Sequence, residues 1–239
     1  MKSTKPGAGA SRDGGLKTRV KTARKRSLAS TLWLQRQLND PYVAKARREG
    51  YRSRAAFKLL EIDERFRLLR PGQRIVDLGS APGGWAQVAA GKIGASQAQT
   101  RIVAIDLIEM EPIAGVRFEQ MDFNDADAPE RLKIMLAGEA DGVLSDMAAN
   151  AIGHRKTDHL RIVALAELAA DFAREVLAPG GFFLAKVLQG GAERDLLASL
   201  KRDFALVKHV KPAASRADSA ELYVLATGFR GERGAGRGD

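Results

Sequence analysis

The sequence predicts an α/β fold with a mixed, mostly parallel sheet whose last strand is antiparallel. Short β-branched runs at 75–78, 102–106 and 142–146 alternate with helical stretches, a pattern typical of parallel strands joined by right-handed crossovers. A glycine-rich loop follows the first run, at the edge where α/β sheets bind ligands. The last two strands, around 206–210 and 222–229, are separated only by a loop, so they should be antiparallel.

Helices are predicted before the first strand and after the fourth strand in the sequence. One helix runs through 41–48 and stops at Gly50, and the next is capped by Ser53 and carries Lys58 near its start. A long helix over about 157–177 is closed by the turn at 178–181. An apolar strand over 182–188 follows and contains Lys186.

Length and charge predict one domain with two tails. The chain has 239 residues, 45% of them hydrophobic, and a formal net charge of +10. Residues 1–54 hold 15 Lys and Arg against three Asp and Glu, whereas the remainder holds 24 against 26. This basic arm favours a polyanionic partner. We expect a disordered basic tail over 1–30, a domain over 31–229 with an N-terminal helical extension that contacts the polyanion, and a flexible Gly/Arg tail over 230–239.

Several classes of protein are disfavoured by what the sequence lacks. It has no cysteine, which excludes disulfides, cysteine zinc sites and iron–sulfur clusters and suits a reducing compartment. His154, His159 and His209 have no metal-ligand spacing, so we expect surface histidines and no metal. No apolar run reaches the roughly 18 residues that span a bilayer. We expect a cytoplasmic protein without membrane contact; the Arg-rich leader leaves a mitochondrial transit peptide as an alternative.

The loop after the first strand predicts a cofactor without phosphate groups. Gly79, Gly83 and Gly84 have neither the dinucleotide spacing nor a Walker ending, which favours S-adenosylmethionine over NAD or ATP. Asp106 ends the second strand, where an acid can accept hydrogen bonds from ribose hydroxyls. Asp122 could accept one from the adenine amino group or merely cap its loop, and Trp85 is more often a core residue than a cofactor platform.

Three charged residues should meet at the carboxyl edge of the sheet and suit methyl transfer to a sugar hydroxyl. Lys186 lies in an apolar strand, where an unpaired ammonium is unfavourable, so it needs a partner or a function. Asp146 closes the fourth strand, and Glu221 begins the antiparallel one at the same edge. Lys186 could be the general base if burial or a second cation, Lys58, lowers its pKa.

These residues are similar to those of the FtsJ/RlmE family of ribosomal RNA 2′-O-methyltransferases, from about Trp33 to Gly228. Lys186 and four segments carry the resemblance: 52–59 (RSRAAFKL), 77–85 (DLGSAPGGW), 145–148 (SDMA) and 215–223 (SRADSAELY). It implies a Rossmann-like methyltransferase fold, a catalytic tetrad and a cofactor site. The tetrad would be Lys58, Asp146, Lys186 and Glu221; the cofactor contacts would be Gly83, Trp85, Asp106, Asp122 and Asp146.

The resemblance also implies a substrate, a uridine of 23S rRNA in the 50S ribosomal subunit. The chain departs from the family at Ala149, where proline is expected, and at Ala214, where serine is usual; Ala149 bears on the rigidity of the Asp146 loop. Basic residues flank the tetrad and should hold RNA phosphates. They are Lys45, Arg47 and Arg48, together with the RNA-binding candidates Arg52, Arg54, Lys211 and Arg216.

Other functions stay open at this point. The chain could methylate tRNA or mitochondrial rRNA, or it could be a non-catalytic RNA-binding factor in ribosome assembly. An NAD-linked oxidoreductase would fit the strand pattern but not the loop. We expect a monomer.

Overall fold

The structure, a computed structural model, describes residues 28–149, 153–190, 193–216 and 219–231. The chain divides into two compact units, residues 1–44 and 45–239. In the first unit, α1 (Leu28–Leu38) precedes the start of α2 (Pro41–Glu49). Asp40 accepts a hydrogen bond through Oδ1 from the Tyr42 amide at 3.0 Å, as a capping side chain does. Of the two predicted tails, 1–27 and 232–239 lie outside the described residues.

The second unit is built around one seven-stranded sheet in the order β3-β2-β1-β4-β5-β7-β6. All neighbouring strands are parallel except β7, which is antiparallel to both β5 and β6. The predicted fold class is therefore confirmed. The strands are β1 (Ile75–Leu78), β2 (Ile102–Asp106), β3 (Val116–Gln120), β4 (Ala140–Ser145), β5 (Leu177–Leu188), β6 (Phe204–Val210) and β7 (Glu221–Phe229).

Helices cover both faces of the sheet. One apolar cluster joins it to α5 (Ala128–Leu136), α6 (Arg155–Val176) and α7 (Arg194–Asp203), and the other joins it to α3 (Ala55–Phe66) and α4 (Gly84–Ile93). Along β5 the side chains alternate between these clusters, with Phe183 in the first and Leu184 in the second. Burying such a side chain stabilises the fold by about 1.5–3 kcal/mol. Burial of both faces explains why β5 has no polar face in the sequence.

Three local features differ from the sequence predictions. Ser53 does not cap α3: the N-cap is Arg54, without a side-chain cap, because the Ser53 hydroxyl is turned against Gly84 of α4. β5 begins at Leu177, directly after α6, because Leu177 pairs with Ala140 before a register shift. Helix α7 was not predicted. Within the described ranges, every helix is either too short or too polar to span a lipid bilayer.

Candidate active site

Four charged side chains from separate elements meet at the carboxyl edge of the sheet. Lys58 comes from α3, Asp146 follows β4, Lys186 lies in β5 and Glu221 begins β7. Lys186 Nζ is 2.8 Å from Asp146 Oδ1 and donates a 2.7 Å hydrogen bond to the Asp146 main-chain oxygen. Lys58 Nζ is 2.6 Å from Glu221 Oε1. The structure thus joins the four predicted catalytic residues as two ion pairs.

Tyr223 links the two ion pairs. Its hydroxyl accepts a 3.1 Å hydrogen bond from Lys58 Nζ. It lies 2.9 Å from Asp146 Oδ1 and 3.3 Å from Glu221 Oε1, and the shorter distance favours donation of its single proton to Asp146. The side chain is fully buried. The four charged groups and this phenol therefore form one hydrogen-bonded network.

Tyr223 was not predicted as a site residue, although the sequence contains a signal for it. Side chains two residues apart on a strand face the same way, so Tyr223 follows Glu221 onto one face of β7. The strand register then places Tyr223 opposite Lys186. What the sequence could not supply was this register between β5 and β7.

Burial and charge act in opposite directions on the acids of the network. Burial alone would raise the pKa of Asp146, but Lys186 and Lys58 outweigh it and hold that pKa below its usual range. Burial, then the carboxylates of Asp146 and Glu221, raises the pKa of Tyr223 well above its usual value. Asp146 is therefore a carboxylate and Tyr223 a neutral phenol at neutral pH.

A second interaction holds Glu221 from the loop before β7. Ser215 donates a 3.1 Å hydrogen bond to Glu221 Oε1. The neighbouring residue Ala214 is held at both backbone groups: its amide donates to Glu61 Oε2 at 2.9 Å, and its carbonyl accepts from Arg54. Because Glu61 and Arg54 belong to α3 and its N-cap, the region that carries Lys58 also positions the partner of Lys58.

The predicted cofactor glycines lie where the backbone approaches other groups closely. Gly79 has a positive φ of 77°, and a Cβ there would come within 2.9 Å of the Met147 backbone. Gly83 also has a positive φ, 101°, and precedes α4. A Cβ on Gly84 would lie 2.2 Å from the Ser53 hydroxyl. Gly79 thus allows the glycine loop to pack directly against the Asp146–Met147 segment.

The other predicted cofactor residues surround this loop. Asp106 Oδ2 accepts a 2.9 Å hydrogen bond from the Ala81 amide, and its Oδ1 accepts one from the Ile108 amide. Asp122 accepts from the backbone and side chain of Asn124, which is the loop-capping role considered for it. Trp85 is buried, and its indole donates to the Ala55 carbonyl at 2.9 Å. The contacts of these three residues organise loops and core packing; their contact with a cofactor stays a prediction.

Asp77, at the start of the glycine loop, is an acidic residue that was not predicted to have a role. It is fully buried. Its Oδ2 accepts a 2.7 Å hydrogen bond from Ser80, whereas Oδ1 has no hydrogen-bond partner of normal geometry among the described residues. Burial, assisted by the charges of Asp146 and Asp106, raises the pKa of Asp77 to about 7.

We expect Asp77→Asn to raise the free energy of unfolding above that of wild type, and to raise it more at high pH than at low pH. The pKa rises from 3.8 in the unfolded chain to about 7 in the fold, so the folded state retains a proton between these values. Wild-type stability therefore falls as pH rises through this window. The variant's gain should be near zero at pH 4 and reach at most about 4 kcal/mol above pH 7.

Urea unfolding at several pH values would measure this difference. The exposed Asp125→Asn variant is the control and should show no such trend. A stability difference between Asp77→Asn and wild type that stays constant from pH 4 to pH 8 would contradict the prediction.

The predicted RNA-binding residues have unequal surroundings. Arg52 donates to three backbone carbonyls, and Arg54 donates to the Ala214 carbonyl. Lys211 is exposed and donates to the Ser219 carbonyl at 2.9 Å, and Arg216 is half-buried. Phosphate contact by these residues stays a prediction.

The histidines do not all lie on the surface as expected. His159 is only 15% exposed in its side chain, and both His159 and His209 lie within 4 Å of the buried Glu193 carboxylate. His154 is exposed and accepts a hydrogen bond from the Thr157 amide at the start of α6. In the described part of the chain, no cluster of His, Asp and Glu has the arrangement of a metal site.

The chain matches the model of a known protein family. The family model of FtsJ-like methyltransferases matches residues 51–229. The chain belongs to this family. As an FtsJ-like methyltransferase, it has the two ion pairs, Tyr223 and the glycine loop all within the matched region.

Sequence similarity to known relatives covers most of the length of this FtsJ-like methyltransferase. "Ribosomal RNA large subunit methyltransferase E" of Xanthobacter autotrophicus is 73% identical over 217 residues, covering 91% of this chain and 85% of that protein. The protein of the same name from Bradyrhizobium diazoefficiens is 67% identical, covering 91% and 96%. The crystal structure of a ribosomal RNA methyltransferase from Plasmodium falciparum has a TM-score of 0.66 and 31% identity, covering 76% of this chain and 100% of that one. The FtsJ-like protein is thus a methyltransferase with the Rossmann-like fold of these relatives.

Proposed function

We propose that the protein transfers a methyl group from S-adenosylmethionine to the 2′-hydroxyl of a uridine in 23S rRNA within the 50S ribosomal subunit. The observation that carries this proposal is the network of two lysine–carboxylate pairs at the edge of the sheet. Relatives named as ribosomal RNA large subunit methyltransferase E support the substrate. The two relatives with this name, from Xanthobacter autotrophicus and Bradyrhizobium diazoefficiens, are bacterial proteins, which supports a bacterial cytoplasmic enzyme.

The surroundings of the glycine loop fit S-adenosylmethionine. The loop 79–84 contains no lysine or arginine that could hold a phosphate, and S-adenosylmethionine has no phosphate group. Asp106 ends β2 and Asp122 follows β3 at the same edge of the sheet, where they could accept from ribose hydroxyls and the adenine amino group. When bound, the cofactor supplies an electrophilic methyl group on a sulfonium. Gly79, Gly83, Gly84 and Trp85 would shape its site, beside Asp146.

Lys186 is the proposed general base. A ribose hydroxyl is a weak nucleophile, so its proton must leave as the bond to the methyl carbon forms. In the neutral amine, two hydrogens and one lone pair surround Nζ. The two Asp146 oxygens within 2.8 Å account for both hydrogens, which leaves the lone pair for the proton of the 2′-hydroxyl.

The other members of the network hold Lys186 and the hydroxyl in place. Asp146 stays ionised because its pKa is lowered, so it keeps a fixed acceptor toward Nζ. Lys58, anchored by Glu221 and Tyr223, places a second cation beside Asp146. Correct positioning of reactants supplies roughly 7–11 kcal/mol in well-oriented systems. Rigidity of this network is therefore the main contribution that we assign to the tetrad.

The RNA would approach along a basic surface beside the network. Lys211 and Arg216 precede Glu221, and the basic residues of α2 precede Lys58. We propose a monomeric methyltransferase domain over 31–229, with the N-terminal helices as an RNA-contacting extension and a Gly/Arg tail over 230–239. The basic tail predicted over 1–30 precedes it, and its last three residues begin α1. Phosphate contacts of this kind hold RNA without reading its sequence, which suits a substrate recognised within a folded ribosomal subunit.

The test is methyl transfer from radiolabelled S-adenosylmethionine to 50S subunits, naked 23S rRNA and tRNA, followed by digestion to nucleosides. We expect label in 2′-O-methyluridine from the 50S subunit. Label in tRNA alone would replace the proposed substrate with tRNA. Cofactor binding without transfer to any of the three RNAs would favour a non-catalytic RNA-binding role.

A further inference from the structure

The side chain of Arg52 joins two loops at the cofactor side of the sheet. One guanidinium nitrogen, Nη1, donates to the Glu111 carbonyl at 2.5 Å and the Pro82 carbonyl at 3.4 Å. The other, Nη2, donates to the Pro112 carbonyl at 2.7 Å. Pro82 belongs to the glycine loop, and Glu111 and Pro112 belong to the loop that follows Asp106. Arg52 is therefore a bridge between the two loops that would border the cofactor.

The backbone of Arg52 is fixed as firmly as its side chain. Its amide donates a 3.0 Å hydrogen bond to Gln87 Oε1, and the same Gln87 side chain donates to the Gly50 carbonyl at 2.8 Å. Gln87 lies on α4, which starts immediately after the glycine loop. Arg52 is thus anchored to the helix that carries one of the two loops it joins.

The two loops also pack against each other at the same point. A Cβ on Gly83 would meet Ile113 Cδ1 at 2.7 Å, Met110 Sδ at 3.1 Å and Arg52 Cδ at 3.2 Å. A cavity of about 670 Å³ lies beside them, lined by both loops and by Arg52. The shape of this region depends on the distance between the two loops, and the Arg52 side chain bridges them there.

We propose that Arg52 is a positioning residue that sets the affinity for S-adenosylmethionine by holding the glycine loop against the loop over 107–115. The inference rests on the proposed function in taking that compound as the ligand, and it differs from the expected phosphate contact. The acceptors are three backbone carbonyls on two loops, and a planar guanidinium reaches them through two separate nitrogens. A lysine ammonium is a single point that cannot span them in this geometry.

The test is calorimetric titration of S-adenosylmethionine into the full chain in the absence of RNA. Wild type is compared with Arg52→Ala, Arg52→Lys and the matched control Arg47→Ala, in which an exposed arginine of α2 is removed. Loss of charge-assisted hydrogen bonds should raise Kd about 10- to 100-fold in Arg52→Ala and about 10-fold in Arg52→Lys. Arg47→Ala should stay within about twofold of wild type.

Arg52→Lys separates the two roles of Arg52, because it keeps the positive charge and lacks the planar fork. If Arg52 positions the loops, this variant should bind RNA normally, need more S-adenosylmethionine to reach half-maximal rate, and recover the wild-type kcat at saturation. An unchanged affinity for S-adenosylmethionine in both Arg52 variants would overturn the proposal. So would weaker RNA binding as the only effect of Arg52→Ala.

The titration also separates this inference from the proposed function. Binding of S-adenosylmethionine is measured without RNA, so the titration does not depend on which RNA is methylated. Failure of transfer to every RNA would contradict the proposed function, whereas the effect of Arg52 on affinity would still support its positioning role. A wild-type protein that does not bind S-adenosylmethionine would overturn both. Circular dichroism melting of each variant shows that the folded protein is being titrated, and Arg52→Lys serves if Arg52→Ala does not fold.

Discussion

Lys186→Ala is expected to lower kcat for methyl transfer by about 10²- to 10⁴-fold, the range that a positioned general base contributes. The variant removes the amine whose two hydrogens are directed at Asp146, and with it the lone pair assigned to the 2′-hydroxyl. Asp146 keeps Tyr223 as a hydrogen-bond donor, so the fold and the cofactor site should persist. Single-turnover transfer to 50S subunits, with separate titration of S-adenosylmethionine, measures the two effects independently.

Lys186→Arg is the matched control for charge. It keeps a cation beside Asp146 but cannot release a proton at neutral pH, so it should be as inactive as the alanine variant. Addition of a small primary amine should restore part of the activity of Lys186→Ala and none of the activity of Lys186→Arg. More than a tenth of the wild-type kcat in either variant, without added amine, would exclude Lys186 as the general base.

The largest effect on stability is expected from breaking the Lys58–Glu221 pair. Lys58 is 8% exposed, and its Nζ lies 2.6 Å from Glu221 Oε1. Lys58→Met leaves a largely buried carboxylate without its cation, which typically destabilises a protein by about 3–5 kcal/mol. Glu221→Gln removes the negative charge beside Lys58 but keeps a side-chain oxygen that can accept from the ammonium, as the Tyr223 hydroxyl does, so this variant should destabilise the protein less.

A double-mutant cycle with Lys58→Met and Glu221→Gln tests whether the two side chains act as a pair. The double variant should be more stable than Lys58→Met alone, since no unpaired charge remains, yet it should stay inactive. Urea unfolding at pH 7.5 gives the free energies, and transfer to 50S subunits gives the activity. Strictly additive losses of stability would show that the contact contributes nothing as a pair.

The fold could be predicted from the sequence because its signals are local. Apolar runs of strand length alternate with helical stretches, and only a loop separates β6 from β7. Helix α7 was missed although its sequence is amphipathic: Leu196 and Leu200, about one helical turn apart, are buried, and Leu197 packs against the same apolar cluster. The start of β5 at Leu177 was also missed, because its pairing with Ala140 lies outside the sequence pattern of either strand.

The site was predictable in its charged residues and not in its contacts. A lysine in an apolar strand and acids at strand ends are visible in the sequence, and the direction of β7 brings Glu221 to the same edge. In the sequence, however, Arg52 and Arg54 cannot be distinguished from arginines that bind phosphate. Only the packed structure shows that they donate to loop carbonyls.

By itself, the sequence determined the α/β class, the loop suited to a cofactor without phosphate, and the residue types of the tetrad, because each depends on neighbours within a few positions. Tertiary structure decided which lysine pairs with which carboxylate, that Tyr223 joins the pairs, and that Asp77 is buried. These contacts join groups as far apart as Lys58 and Tyr223, 165 positions apart in the chain. They depend on strand register, which a shift of one residue would change, and on the packing of α3, which a displacement of about an ångström would change.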